Sequence, residues 1–118
     1  MGSVRTIKAK EMTSTFHGSV WMEQDGVRFF GPGPHELLTR IAEVGSLHVA
    51  AATMGMSYRK AWLIVDRINR VMGSQVVVSQ KGGVHGGGST LSREAMALME
   101  RYRKLSKAFD DFLEEQNR

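Results

Sequence analysis

The chain has 118 residues, of which 42% are apolar and 24% charged, and it contains no cysteine. A chain this short builds one hydrophobic core, which excludes a catalytic barrel or a two-lobed enzyme, and the absence of thiols excludes disulfides, zinc fingers and iron–sulfur ligation. The formal net charge is +4 and no apolar run approaches the ~20 residues of a membrane span, so a cytoplasmic protein with an anionic partner is the expectation.

Residues 1–15 show neither helical nor strand periodicity, carry Arg5, Lys8 and Lys10, and read as a flexible N-terminal arm. Phe16, Val20 and Met22 alternate with His17, Ser19 and Trp21, and Asp25-Gly26 makes a turn before Val27 to Phe30, which predicts a β-hairpin. Gly31-Pro32-Gly33-Pro34 stops the strand. Pro34 suits the start of a helix whose Leu37, Leu38, Ile41 and Val44 recur at helical spacing before Gly45. Ser46 caps a short second helix carrying Leu47, Ala50, Ala51 and Met54, and Gly55 ends it in a left-handed turn. Ser57 caps a third helix to about Met72, with Ala61, Val65, Ile68 and Met72 on the core face, and Gly73 ends it. Val76-Val77-Val78 reads as a strand running into a loop from Lys81 to Gly88, in which five glycines fall within seven residues. Finally, Ser92 caps a helix from Arg93 to about Asn117. Its Leu91, Ala95, Leu98, Tyr102, Leu105, Phe109 and Phe112 alternate at spacings of four and three, a heptad seam.

The charge is localised. Residues 1–45 hold five bases and five acids, and residues 93–118 hold six of each, so the whole surplus of four lies between Arg59 and Lys81. A short helix, a glycine turn and a second helix with a basic outer face, followed by strand, glycine loop and strand, follow the order of a winged helix-turn-helix. On the third helix, Arg59, Leu63, Asp66 and Arg70 lie opposite the core stripe, with Lys60 and Arg67 on one shoulder. In the first turn Arg59 and Lys60 sit where a recognition helix presents side chains to base edges. Arginine can bond guanine in a bidentate manner, and Leu63 can touch a thymine methyl. Ser57, Tyr58, Arg59, Lys60, Leu63, Arg67 and Arg70 are therefore candidate DNA contacts, joined by Lys81 and His85 of the glycine loop as a wing. Each has a plainer reading. Helix-surface cations are often merely solvated, Tyr58 and Trp62 lie near enough to the core to serve in packing, Asp66 suits an i,i+4 pair with Arg70, and the loop suits a simple hairpin.

Rival chemistries fare worse. The glycine loop lacks the Lys-Ser or Lys-Thr of a phosphate loop and leads into strand, not helix. The histidines at 17, 35, 48 and 85 are scattered, and no nucleophile–base constellation stands out, so no metal, cofactor or catalytic residue is assigned and the chain is not expected to be an enzyme.

Gly31-Pro32-Gly33, Leu37-Leu38 with Ile41, Gly45-Ser46-Leu47, Ala50-Ala51, the run from Met54 to Trp62, Asn69 and the split glycine loop Gly82-Gly83 with Gly86-Gly87-Gly88 resemble one family. It is the N-terminal winged-helix domain of ModE-type molybdenum-responsive transcription regulators, and the resemblance spans roughly residues 16–112. It implies a homodimer held through the hairpin and the last helix, with paired recognition helices and wings on a near-palindromic operator. It also places Ser57, Tyr58, Arg59, Lys60 and Lys81 at the DNA. The family's molybdate-binding region of small β-barrels has no counterpart in the sequence, so molybdate is not expected to bind this chain.

The expectation is an α+β, mostly helical fold in three parts. These are an arm over 1–15, a winged helix-turn-helix domain with an N-terminal β-hairpin over 16–92, and a dimerisation helix over 93–118 whose seam is Leu98, Tyr102, Leu105, Phe109 and Phe112. The function expected is sequence-specific binding of double-stranded DNA by a homodimeric regulator. The alternative is a winged-helix module that binds protein partners without specific DNA recognition, and for the seam, packing on its own domain.

Overall fold

A computed structural model of the chain describes residues 13–80 and 88–118. Most of the expected arm, and Lys81 and His85, lie outside the described residues. The fold is α+β and mostly helical, in the order β1 (Met22–Gln24), β2 (Val27–Phe30), α1 (Pro32–Val44), α2 (Leu47–Thr53), α3 (Tyr58–Met72), β3 (Val77–Ser79), β4 (Ser89–Leu91) and α4 (Arg93–Gln116).

Local chemistry accounts for most boundaries. Asp25 and Gly26 both adopt positive φ, 51° and 78°, the requirement of a tight two-residue turn between antiparallel strands. The side chains of Ser46, Ser57 and Ser92 each accept an N–H from the first turn of the helix that follows, so three helices carry the expected caps. Gly45 and Gly73 end α1 and α3 in the left-handed conformation and return their N–H groups to Ile41 and Asn69. The first helix begins at Pro32, one turn-fraction earlier than Pro34 suggested. Both prolines are accommodated because N–H groups of a first turn have no acceptor within the helix, so their absence costs no bond.

The core is a single cluster. Phe30, Leu37, Leu38, Ile41, Ile68 and Val76 are fully buried at its centre, with Ala50, Ala61 and Ala95 letting the helices approach. Antiparallel β3 and β4 pair Val77 with Leu91 and Ser79 with Ser89. This small sheet is fastened to the corner between α1 and α2: Ser89 N–H donates to the Gly45 carbonyl at 2.8 Å, and Leu47 N–H donates to Ser89 Oγ at 3.3 Å. A Cβ at Gly88 would stand 3.0 Å from the same Gly45 carbonyl, so a larger residue there would have to push the two segments apart by a few tenths of an ångström.

Two features depart from expectation. Phe16 is 65% exposed, and pairing begins only at Met22, so residues 13–21 are not part of the hairpin. With β2 four residues long before the chain turns into α1, β1 has no further partner. The preceding segment instead runs along α4. Tyr102 donates its hydroxyl hydrogen to the Val20 carbonyl at 2.9 Å, Gly18 lies against the Phe109 ring, and the Asn117 amide exchanges two hydrogen bonds with the Phe16 backbone, at 2.7 and 3.0 Å.

The second departure concerns α4, 24 residues and about 36 Å long. Ala95, Leu98 and Tyr102 are buried in the domain's own core, so its first turns belong to that domain, whereas Leu105 and Phe112 are each 58% exposed. The heptad seam therefore divides: Leu98 and Tyr102 pack inward, Phe109 is partly covered, and Leu105 and Phe112 face outward. The molecule is elongated, 74 × 29 × 22 Å.

Candidate nucleic-acid interface

The positive stretch of sequence becomes one face of α3. Gly55, at φ 68°, turns the chain out of α2, and Ser57 Oγ accepts the Lys60 N–H at 3.1 Å to start the helix. Ala61, Val65 and Ile68 anchor one side in the core. The first turn contains no acid, so Arg59 and Lys60 stand exposed at the positive end of the helix dipole. Arg67 and Arg70 are exposed further along, and Arg70 pairs with Asp66 at 2.9 Å, as the i,i+4 spacing suggested. Arg59, Lys60 and Arg67 form no ion pair among the described residues.

Two grooves flank this face. The first, about 560 Å³, lies between α3 and the hairpin turn and is lined by Gln24, Asp25, Leu63, Asp66, Arg67 and Arg70. The second, about 350 Å³, lies between α3 and β3 and is lined by Tyr58, Trp62, Asp66, Asn69, Val77 and Ser79. The candidate contacts thus fall into two groups. Ser57, Tyr58, Arg59 and Lys60 occupy the free N-terminal end, whereas Leu63, Arg67 and Arg70 border the hairpin with its Asp25.

Tyr58 and Trp62 correct the packing alternative, since each is 48% exposed. The Tyr58 ring stacks at a tilt on His48 of α2, with centroids 5.2 Å apart. Asn69, by contrast, has a role that spacing alone did not reveal. Its Oδ1 accepts the Val76 N–H at 2.8 Å and so ties the last turns of α3 to the residue that precedes β3. The signal for it was an amide residue seven positions before a β-branched run. The wing itself is described only at its base, where Gln80 N–H donates to the Gly88 carbonyl at 2.8 Å.

Among the described residues no group of histidines and acids could hold a metal ion, and no helix is long and apolar enough to cross a membrane.

A short helix, a glycine turn, a capped helix with a cationic outer face and a two-stranded wing define a winged helix-turn-helix domain. The fold resembles the crystal structure of ArgP from Mycobacterium tuberculosis, with a TM-score of 0.53 and 17% identity over 74% of this chain and 31% of that one. No family model matches the chain. In sequence it is similar to the molybdenum transport protein ModE of Herbaspirillum seropedicae, 34% identical over 89 residues, which is 75% of this chain and 31% of that protein. It is 35% identical over 86 residues to the DNA-binding transcriptional dual regulator ModE of Escherichia coli K12, covering 70% of this chain and 33% of the relative. The molybdenum-pterin-binding protein MopB of Rhodobacter capsulatus is 35% identical over 83 residues, with 70% and 30% covered. The chain is therefore related to ModE-type proteins over most of its own length, and spans about a third of theirs. By name these relatives are regulators, transport proteins and pterin-binding proteins, not enzymes.

Proposed function

We propose that the chain is the DNA-reading unit of a transcription regulator, acting as a homodimer on a near-palindromic operator. The observation that carries this reading is the exposed, acid-free first turn of α3, where Arg59 and Lys60 form no ion pair among the described residues. In the major groove such a turn places Arg59 at guanine O6 and N7, while Lys60 and Arg67 meet phosphates, and the wing with Lys81 and His85 follows the neighbouring backbone. The relatives' names support DNA as the ligand and connect the regulated process with molybdenum. Paired half-sites follow from dimerisation through the outer part of α4, where Leu105, Phe109 and Phe112 lie beyond the core, with the segment 13–21 running alongside.

Selection of bound sequences from a random duplex pool tests the reading. It is expected to return two inverted half-sites about one helical turn, roughly 10 base pairs, apart. Recovery of no preferred sequence overturns it. Calorimetry of the chain with molybdate is expected to show no binding heat, and micromolar binding would move the sensor into this domain.

A further inference from the structure

The second turn of α3 is apolar where a purely electrostatic interface would be cationic. Trp62 is 48% exposed and Leu63 47% exposed, and at 100° per residue they flank the line of Arg59 on opposite sides. Trp62 makes no side-chain hydrogen bond among the described residues, and its ring forms part of the wall facing β3. Leu63 forms part of the wall facing the hairpin turn. Half-exposed large apolar side chains on a helix retain a hydrophobic driving force for a further partner.

Resting on the DNA-binding reading above, we propose that Trp62, with Leu63 beside it, reads thymine in the major groove by packing against its C5-methyl group. Three observations converge on a nucleic-acid occupant. The apolar pair is bracketed by Arg59, Lys60 and Arg67, whose charge favours an anionic ligand. Asp66, the one acid lining both grooves, is held by Arg70 at 2.9 Å and so presents less repulsion to phosphate. The pair also follows the first turn that would meet base edges, and the thymine methyl is the one apolar group that base edges display in the major groove. Arg59 then specifies guanine while its flanking side chains specify thymine, so the recognition helix distinguishes bases by hydrogen bonding and by methyl burial at once.

The test uses the full chain and a duplex obtained by selection, with each thymine replaced singly by deoxyuridine, which preserves pairing and removes only the methyl. At one thymine per half-site the replacement is expected to weaken binding about fourfold, the scale of one buried methylene. W62A is expected to bind the parent duplex more weakly and to be indifferent to deoxyuridine there, whereas W62F keeps the sensitivity. In W21F, which leaves Trp62 as the sole indole, the duplex is expected to shield the fluorescence from iodide. Wild-type indifference to every deoxyuridine, with specific binding intact, overturns this inference alone. Sensitivity that persists in W62A and vanishes in L63A assigns the methyl to Leu63 and overturns the role of Trp62. Failure to select any duplex overturns the DNA-binding reading as well, and leaves the exposed pair to a protein partner.

Discussion

Single residues differ in how directly their environment translates into a measurable effect. Arg59, exposed in the first turn of α3, is the side chain proposed to bond a base, and Arg59→Ala is expected to lose about 1–3 kcal/mol of specific binding, read by fluorescence anisotropy against the selected duplex. Asp66 acts in the opposite sense. It holds Arg70 and adds a negative charge beside the proposed phosphate path, so Asp66→Asn is expected to strengthen binding and steepen its salt dependence. Equal or weaker binding by this variant would show that the pair positions Arg70 productively. His35 bears on stability. Its ring packs edge-on to Phe30 and at a tilt against Tyr102, with centroids 6.0 and 5.2 Å away, and burial there, opposed by Glu36 and aided by Arg103, holds its pKa below the ordinary value. The unfolded chain therefore takes up a proton more readily than the folded one. The neutral ring's full contribution to stability is present above the ordinary histidine pKa of about 6.5, and is lost as pH falls from there through the depressed folded value. Urea midpoints of the wild type are expected to fall more between pH 7 and 5, a range of roughly two units around that pKa, than those of His35→Gln. Parallel profiles would contradict the assignment.

The elements divide according to whether their signals were local. The three serine caps, the left-handed glycines after α1 and α3 and the Asp25-Gly26 turn are all decided within a few residues, and all were legible in the sequence. The segment 13–21 was not. Its alternation resembles a strand, but its partners are Tyr102, Phe109 and Asn117, as much as 101 positions away, and no local pattern encodes that distance. The aromatic residues on α3 were harder to place for a related reason: an angular position beside the core stripe does not say how far neighbouring elements reach over Tyr58 and Trp62, and here each stays about half exposed, 48%. Helix α4 shows both cases. Its heptad was legible, but not the point at which its own core ends, between Tyr102 and Leu105. That division predicts two phenotypes. Leu98→Ala is expected to cost about 2–5 kcal/mol of stability in denaturant unfolding, as a buried leucine does. Leu105→Asp with Phe112→Asp is expected to leave circular dichroism unchanged and to convert dimer to monomer in sedimentation. A monomeric wild type, or an unaltered dimer in the double variant, would remove the outer seam from the interface.

At the scale of the molecule, shape and charge point the same way. The radius of gyration is 19.6 Å, well above the ~13–14 Å of a compact domain of this size, and the outer part of α4 carries the exposed Leu105 and Phe112 beyond the core. The surplus charge that distinguishes the middle of the sequence lies on α3 and the start of the wing, away from that outer seam. The winged architecture was legible because its order of short helix, glycine turn, capped helix and strand is written in the chain, whereas the pose of the wing tip is not. The most direct measurement is titration of the selected duplex and of a scrambled duplex of equal composition at physiological salt. The selected duplex is expected to bind at least about a thousandfold more tightly, the lower bound for specific recognition. Equal affinities for the two would contradict it.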